Sequence, residues 1–225
     1  MTRPVAVILG AGMGGSGVAR SLAPTHDVVI VDRGGGKAMA LAEAVGGVAA
    51  TADLLDIDSV TGLQEHLVDR FGRVDAVIHL VGGWQGSPSV DLDALKAWDA
   101  IAPGVFGTLR VTSVAFRDAL LASGGTYVMV SSTTAHRPTA GNVAYATAKA
   151  AAESWLGGLA DSFAETSARA VIVAVKALVT ADMRAAEPNR NFPGYTDVDA
   201  LGEAIKGILE GEAIANGARV DLTKE

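Results

Sequence analysis

The feature that most limits what this chain can fold into is an alternation. Short runs of β-branched and other apolar residues are each followed by a longer segment of helical period. The runs are Val5 to Leu9, Val28 to Val31, Val48 to Thr51, Ala76 to Val81, Tyr127 to Val130 and Ala170 to Val175. Strands that are apolar on both faces belong to a parallel sheet covered by helices on each side, joined by right-handed crossovers. Helices are predicted near Gly17–Ala23, Lys37–Val45, Ser59–Phe71, Leu92–Ala122, Tyr145–Phe163 and Val198–Leu209, with a last short strand at Ala218–Leu222. Pro103-Gly104 inside the fourth helix should kink or divide it. The fold class expected is α/β, a single doubly wound parallel sheet with helices on both faces.

At 225 residues and 49% hydrophobic content the chain can bury a large core, and no linker, low-complexity run or fixed-period repeat divides it, so one domain over 1–225 is expected. The net charge of −7 argues against a nucleic-acid partner, which would need a basic face. The absence of cysteine excludes disulfides and Cys-ligated metal, and His26, His66, His79 and His136 are scattered without metal-like spacing, so no metal is predicted. Met1-Thr2-Arg3-Pro4 leads straight into Val5 to Leu9, too short an apolar run for a signal peptide, and no run reaches the roughly eighteen residues of a membrane span. A soluble, cytoplasmic protein with no membrane partner is the expectation.

The first strand ends in Gly10-Ala11-Gly12-Met13-Gly14-Gly15-Ser16-Gly17. A phosphate pair approaches a backbone only where side chains are absent, and the following helix points its free amides at the negative charge. Gly10, Gly12 and Gly15 satisfy the G-x-G-x-x-G spacing in strand–loop–helix context, which reads as a dinucleotide site. The second strand leads into Asp32, whose carboxylate suits both ribose hydroxyls of an adenosine and repels a 2′-phosphate. NAD is favoured, while Arg33 and Lys37 keep NADP open. Asp53, before Leu54, either accepts from an adenine amino group or caps a turn. Gly82-Gly83-Trp84, after the fourth strand, leaves room for a ribose or nicotinamide. His79 reads as a hydrogen-bonded strand residue rather than a base.

Tyr145 and Lys149, four residues apart, share one helix face, and Ser132 lies thirteen positions before the tyrosine at a strand end. The three can converge. Taken in order, Gly10 to Gly17, Asp32, Asp53, Ser132 and Tyr145-x-x-x-Lys149 resemble the short-chain dehydrogenase/reductase family over almost the whole chain. That resemblance implies a single Rossmann-type domain with about seven strands and an NAD(H) or NADP(H) cofactor. It makes Ser132, Tyr145 and Lys149 catalytic, and it implies a cofactor lining of Gly10, Gly12, Met13, Gly14, Gly15, Asp32, Arg33, Asp53, Leu54, Gly82, Gly83, Tyr145, Lys149 and Thr180.

The chain departs from the family in places. His79-Leu80-Val81-Gly82 stands where Asn-Asn-Ala-Gly is usual, Pro103-Gly104 where a helix asparagine often completes a proton relay, and Lys176-Ala177 where Pro-Gly follows the sixth strand. One glycine too many leaves the register of the loop open. Gly82-Gly83-Trp84 and the segment from Thr180 to Phe192 look like the dihydropteridine reductase branch, which commonly lacks the serine.

The unperturbed tyrosine pKa near 10 is too high for ready proton exchange, and Lys149 together with an oxidised nicotinamide should favour the phenolate. Tyr145 is then the acid in reduction and the base in oxidation of a small carbonyl/alcohol substrate, Ser132 holds the reacting oxygen, and Lys149 also binds the nicotinamide ribose. Residues 181–196 are expected to form an irregular substrate lid, with Trp84, Ser132, Met183, Phe192 and Tyr195 lining the substrate pocket and Arg184 and Arg190 as solvated surface residues. The alternatives are reduction of a cyclic C=N substrate, as in dihydropteridine reductases, or a non-catalytic NAD(P)-sensing regulator. Small residues along the helix from Tyr145 to Phe163 point either to pairing as a homodimer or homotetramer or to close packing on the protein's own sheet.

Overall fold

In the computed structural model, residues 3–211 and 213–223 are described; Met1, Thr2, Glu212, Lys224 and Glu225, the ends of the expected 1–225 domain among them, lie outside the described residues. Strands β1 (Val5–Leu9), β2 (Asp27–Val31), β3 (Val48–Ala50), β4 (Ala76–His79), β5 (Thr126–Ser132), β6 (Arg169–Val175) and β9 (Arg219–Asp221) form one sheet in the order β3-β2-β1-β4-β5-β6-β9. Every pairing in it is parallel. A two-stranded parallel ribbon, β7 (Leu178–Val179) with β8 (Thr196–Asp197), stands apart.

The alternation along each strand divides the core in two. Val5, Val7 and Leu9 face a cluster with Leu63, Leu67, Leu109, Phe116, Leu120 and Leu156, which come from α3 (Ile57–Phe71), α5 (Thr108–Ser123) and α6 (Val143–Ser162). Ala6 and Ile8 face the opposite cluster with Val18, Leu22, Ala42, Leu201 and Ile205, from α1 (Met13–Leu22), α2 (Gly36–Val45) and α8 (Val198–Glu210). The central strands are apolar on both faces because each face is a core. The chain runs outward from β1 through β2 to β3, then returns to β4 on the other side of β1. That reversal leaves a crevice at the carboxyl ends of β1 and β4, the place where open α/β sheets bind ligands.

The expected long fourth helix is two helices, α4 (Leu92–Ala102) and α5, joined by a π-helical turn at Pro103–Gly107. Proline lacks the N–H that would continue the ladder, and the wider turn absorbs the defect. The segment expected to be an irregular lid instead carries α7 (Ala181–Ala186), whose first turn is capped by Thr180 Oγ1 accepting from the Met183 N–H at 3.1 Å. The β7–β8 ribbon clips both ends of that segment.

Candidate active site

Ser132 is the last residue of β5, and Tyr145 and Lys149 stand one turn apart on α6. All three line a cleft of about 790 Å³, whose walls include Gly12, Met13, Gly14, Gly15, Gly82, Gly83, Trp84 and Tyr195. A second cavity of about 930 Å³ continues from it past Gly10, Asp32, Arg33, Asp53 and Leu54. The two share Gly12, Leu80, Val81 and Gly82, so a trough runs from the end of β2 to the Ser132–Tyr145–Lys149 group.

The glycines of the loop divide their work. Gly10 sits at φ +108, and a Cβ on Gly15 would stand 2.2 Å from the Gly10 carbonyl oxygen, so α1 can approach β1 only with hydrogen at that position. Gly12 has nothing within 4 Å of a would-be Cβ; its emptiness faces the trough. A Cβ on Gly17 would meet the Val198 carbonyl oxygen at 2.0 Å, so the surplus glycine serves the crossing of α1 with α8. Gly10, Gly12 and Gly15 thus lie in the loop between β1 and α1 or at its edge, and Gly17 in helix packing.

Asp32 Oδ2 accepts the Ala11 N–H at 3.1 Å and Oδ1 the Gly34 N–H at 3.1 Å, which fixes the carboxylate at the mouth of the loop. Arg33 and Lys37 are exposed on the same cavity. Asp53 takes the turn-capping role, its Oδ1 accepting from the Leu55 N–H at 3.0 Å, while still lining the cavity.

Ser132 Oγ accepts from the Thr134 N–H at 3.2 Å and from the Thr134 hydroxyl at 2.9 Å. With its lone pairs occupied, its own proton is free to be donated. Burial raises the Tyr145 phenol above its ordinary value, and the hydrogen bond with Ser132 offsets part of that rise. Lys149 is buried, donates to the Val130 carbonyl at 2.8 Å, and lies 6.0 Å from the centre of the Tyr145 ring. Burial lowers it to about 8 against the attraction of Glu153. In the protein alone Ser132 is the group that opposes the rise of the Tyr145 phenol, and the Lys149 ammonium is turned to a backbone carbonyl.

His79 is the buried strand residue expected, with Nε2 2.9 Å from Thr108 Oγ1 and burial holding its pKa at about 3. Its Nδ1 is the buried side-chain atom without a hydrogen-bond partner among the described residues. Thr108 in turn donates to the Gly104 carbonyl at 2.7 Å, which ties β4 to the π turn.

Of the expected substrate-pocket residues, Trp84, Ser132 and Tyr195 line the cleft. Met183 and Phe192 are not among its walls. Phe192 is 2% exposed at φ 44, its ring packed edge-on against Tyr195 and under the Arg184 and Arg190 guanidinium groups at 5.5 and 4.6 Å. It is the internal anchor of the segment between β7 and β8. Those arginines stay exposed at the surface, as expected, while pairing with Asp197 and Glu187. Thr180 caps α7 and does not line the cleft.

The sequence reading missed five contributors. Lys176 lines the cleft and donates to the Pro193 carbonyl at 2.7 Å, holding that segment to the end of β6. Behind the cleft, Ser131 donates to buried Glu153, which also meets His136 and Arg219. Only Glu153 carried a local signal, a further step of four after Tyr145 and Lys149.

The family model described as short chain dehydrogenase matches residues 4–191. An uncharacterized oxidoreductase of Mycobacterium tuberculosis is 35% identical over 156 residues, a match that takes in 65% of this chain and 59% of that protein, so the shared part is somewhat over half of the relative's length. An uncharacterized oxidoreductase of Staphylococcus epidermidis is 26% identical over 170 residues, covering 73% of this chain and 74% of the relative. Among solved structures, a short chain dehydrogenase from Bacillus anthracis has a TM-score of 0.84 at 20% identity, covering 97% of this chain and 94% of that one. A 3-ketoacyl-(acyl-carrier-protein) reductase from Brucella melitensis, complexed with NADH, has a TM-score of 0.84 at 23% identity, covering 97% and 96%. These two structures share the fold. By the match of the family model over most of its length, the chain belongs to the short chain dehydrogenase family.

Proposed function

We propose that the protein is an NAD(H)-dependent oxidoreductase that interconverts a small carbonyl compound and its alcohol, with Tyr145 as the proton donor and acceptor. The observation that carries this reading is the meeting of Ser132, Tyr145 and Lys149 in one cleft that runs unbroken to the glycine loop and Asp32. The loop suits a dinucleotide: Gly12 leaves its backbone bare toward the trough, and α1 begins there. Gly10, Gly12, Met13, Gly14 and Gly15 would hold the pyrophosphate, Asp32 the adenosine ribose, and Gly82, Gly83, Tyr145 and Lys149 the nicotinamide end. Bound there, the nicotinamide dinucleotide supplies or accepts the hydride.

The protein's own residues handle the proton and the geometry. Ser132, already accepting from Thr134, donates to the substrate oxygen or to Tyr145. That donation stabilises whichever oxygen carries more negative charge. Tyr145 gives its phenolic proton to the substrate oxygen in reduction and takes it back in oxidation. Lys149 keeps a buried positive charge beside the ring. Trp84 and Tyr195 bound the space beyond Ser132, and an aromatic wall favours a substrate with a flat or apolar body.

Replacing Tyr145 with phenylalanine tests the assignment. With carbonyl substrates drawn from diketones, quinones and quinonoid dihydropterin, turnover should fall by about a thousandfold or more while NADH affinity stays within about twofold. Full activity in the variant would remove Tyr145 from its role, and NADH binding with no turnover by the unaltered protein would favour the sensing regulator.

The same reading pairs two copies through α5 and α6. An apolar groove of about 660 Å³ there is lined by Phe106, Val114, Ala151, Trp155, Gly158 and Leu159 among others, and Gly157 and Gly158 have nothing within 4 Å of a would-be Cβ. Ala146, Ala148, Ala152 and Ala160 instead pack inward. Light scattering at micromolar concentration should give a dimer or tetramer mass; a monomer mass would contradict the pairing.

A further inference from the structure

We propose that Glu153 is a positioning residue of this site: one helical turn beyond Lys149, it holds the lysine's positive charge in place and ties the end of β5, where Ser132 sits, to the edge strand β9. The inference rests on the active-site reading of Lys149 for its consequence, not for its geometry.

A buried carboxylate must be paired from all sides or it will not stay charged. Glu153 is 8% exposed and is met from three other elements. Ser131 Oγ, in β5, donates to Oε1 at 2.5 Å; Arg219 Nε, in β9, donates to Oε2 at 3.0 Å; and His136 Nε2, in the turn after β5, lies 2.8 Å from Oε2. Arg219 also reaches the Ser132 carbonyl at 3.3 Å and pairs with Asp221 at 3.8 Å. On its own helix the carboxylate faces Lys149, whose ammonium it favours against the cost of burial. The charged and titratable groups around Glu153 are therefore Lys149, Arg219 and His136, with Asp221 behind the arginine. Lys149 and Ser132 both stand within reach of this one acid, the lysine through its charge across one helical turn and the serine through Ser131 and Arg219.

The sign of the effect follows. Burial alone drives Lys149 toward the neutral amine, and Glu153 opposes it. Removing the negative charge lowers the pH at which the lysine loses its proton. Removing Arg219 leaves more of that negative charge for Lys149 and raises it.

The test is a carbon-13 NMR titration of the lysine Cε resonances in the cofactor-free protein, with the Lys149 signal assigned by its loss in Lys149→Met. In Glu153→Gln, which keeps the shape of the side chain, the Lys149 titration should move down by about one pH unit. In Arg219→Gln it should move up. A merely structural role would lower the melting temperature of either variant and leave both titrations where they were, and that result would overturn the proposal. Should Glu153→Gln not fold, Arg219→Gln carries the same test with the opposite sign. In turnover assays the alkaline limb of the pH profile of Glu153→Gln should shift to lower pH by the same amount. A shifted titration without a shifted profile supports the positioning by Glu153 and counts against the role of Lys149 in turnover.

Discussion

The carbonyl oxygen of Gly10 lies 2.2 Å from the point where a Cβ on Gly15 would stand, so the contact between the first strand and the first helix is backbone against backbone. Gly15→Ala must push α1 away from β1 and should cost about 3 kcal/mol, read as a lowered midpoint in urea. Gly12→Ala meets no obstacle within 4 Å and has φ −84, so stability should stay within about 0.5 kcal/mol. Its methyl group enters the trough instead, and NADH affinity should weaken by about tenfold or more. The two variants separate folding from binding inside one loop; equal losses of stability would refute the division.

Asp32 fills two roles at once, a partner for the Ala11 N–H and a negative charge at the ribose end of the trough. Asp32→Ser should lose about 1 kcal/mol of stability and reverse the order of affinity from NADH over NADPH to NADPH over NADH, aided by exposed Arg33 and Lys37. Fluorescence titration with both cofactors checks it. Stronger binding of NADPH by the unaltered protein would overturn the preference.

The buried position of Lys149 disfavours its positive charge, and below its folded pKa the fold bears that cost. Its folded pKa, about 8, lies below its ordinary value, so between about pH 8 and 10.5 the unfolded chain holds more protons and stability rises with pH. Below pH 8 the cost is fully present. Lys149→Met should therefore be the more stable protein at pH 7, by about 1 kcal/mol or about 3 °C, with the advantage fading as pH approaches 10.5. A variant less stable at every pH would show that its bond to the Val130 carbonyl outweighs its burial.

His79 acts in the acid range. It is neutral when folded down to about pH 3 but takes a proton below about 6.5 when unfolded, so stability is lost as pH falls between those values. At pH 5 the loss from this one residue should be about 2 kcal/mol. His79→Gln should show a shallower fall between pH 7 and 5 in urea unfolding, and an unchanged slope would show that the ring is not buried neutral.

How much of this was written in the sequence depends on the distance between partners. The parallel sheet, the glycine loop and the Tyr145–Lys149 pair were legible because each is a local pattern, two or four residues in period. The break at Pro103 was legible because proline's missing N–H acts locally. Glu153 was not, since its partners Ser131, His136 and Arg219 stand 22, 17 and 66 residues away and meet it only when three elements have packed. The lid misled for a related reason. Its proline and glycine suggested an irregular segment, yet the Thr180 cap, the Arg184–Asp197 pair and the buried Phe192 ring hold a short helix there. An aromatic residue in a polar stretch reads as a pocket wall, but Phe192 is buried within the segment itself.

The π turn at Pro103–Gly107 sets the angular phase of everything after it. A π turn amounts to one residue inserted in an α-helix, and one residue is about 100° of rotation about the axis. Thr108 is aligned with His79, and Leu109, Phe116 and Leu120 with the sheet, in a frame counted from that extra residue. The wide turn takes up that residue, so α5 keeps its face to the sheet while its apolar pattern stands one position displaced from that of α4. A period read through α4 and α5 as one helix slips at Pro103, and the irregular turn is where the two patterns are reconciled.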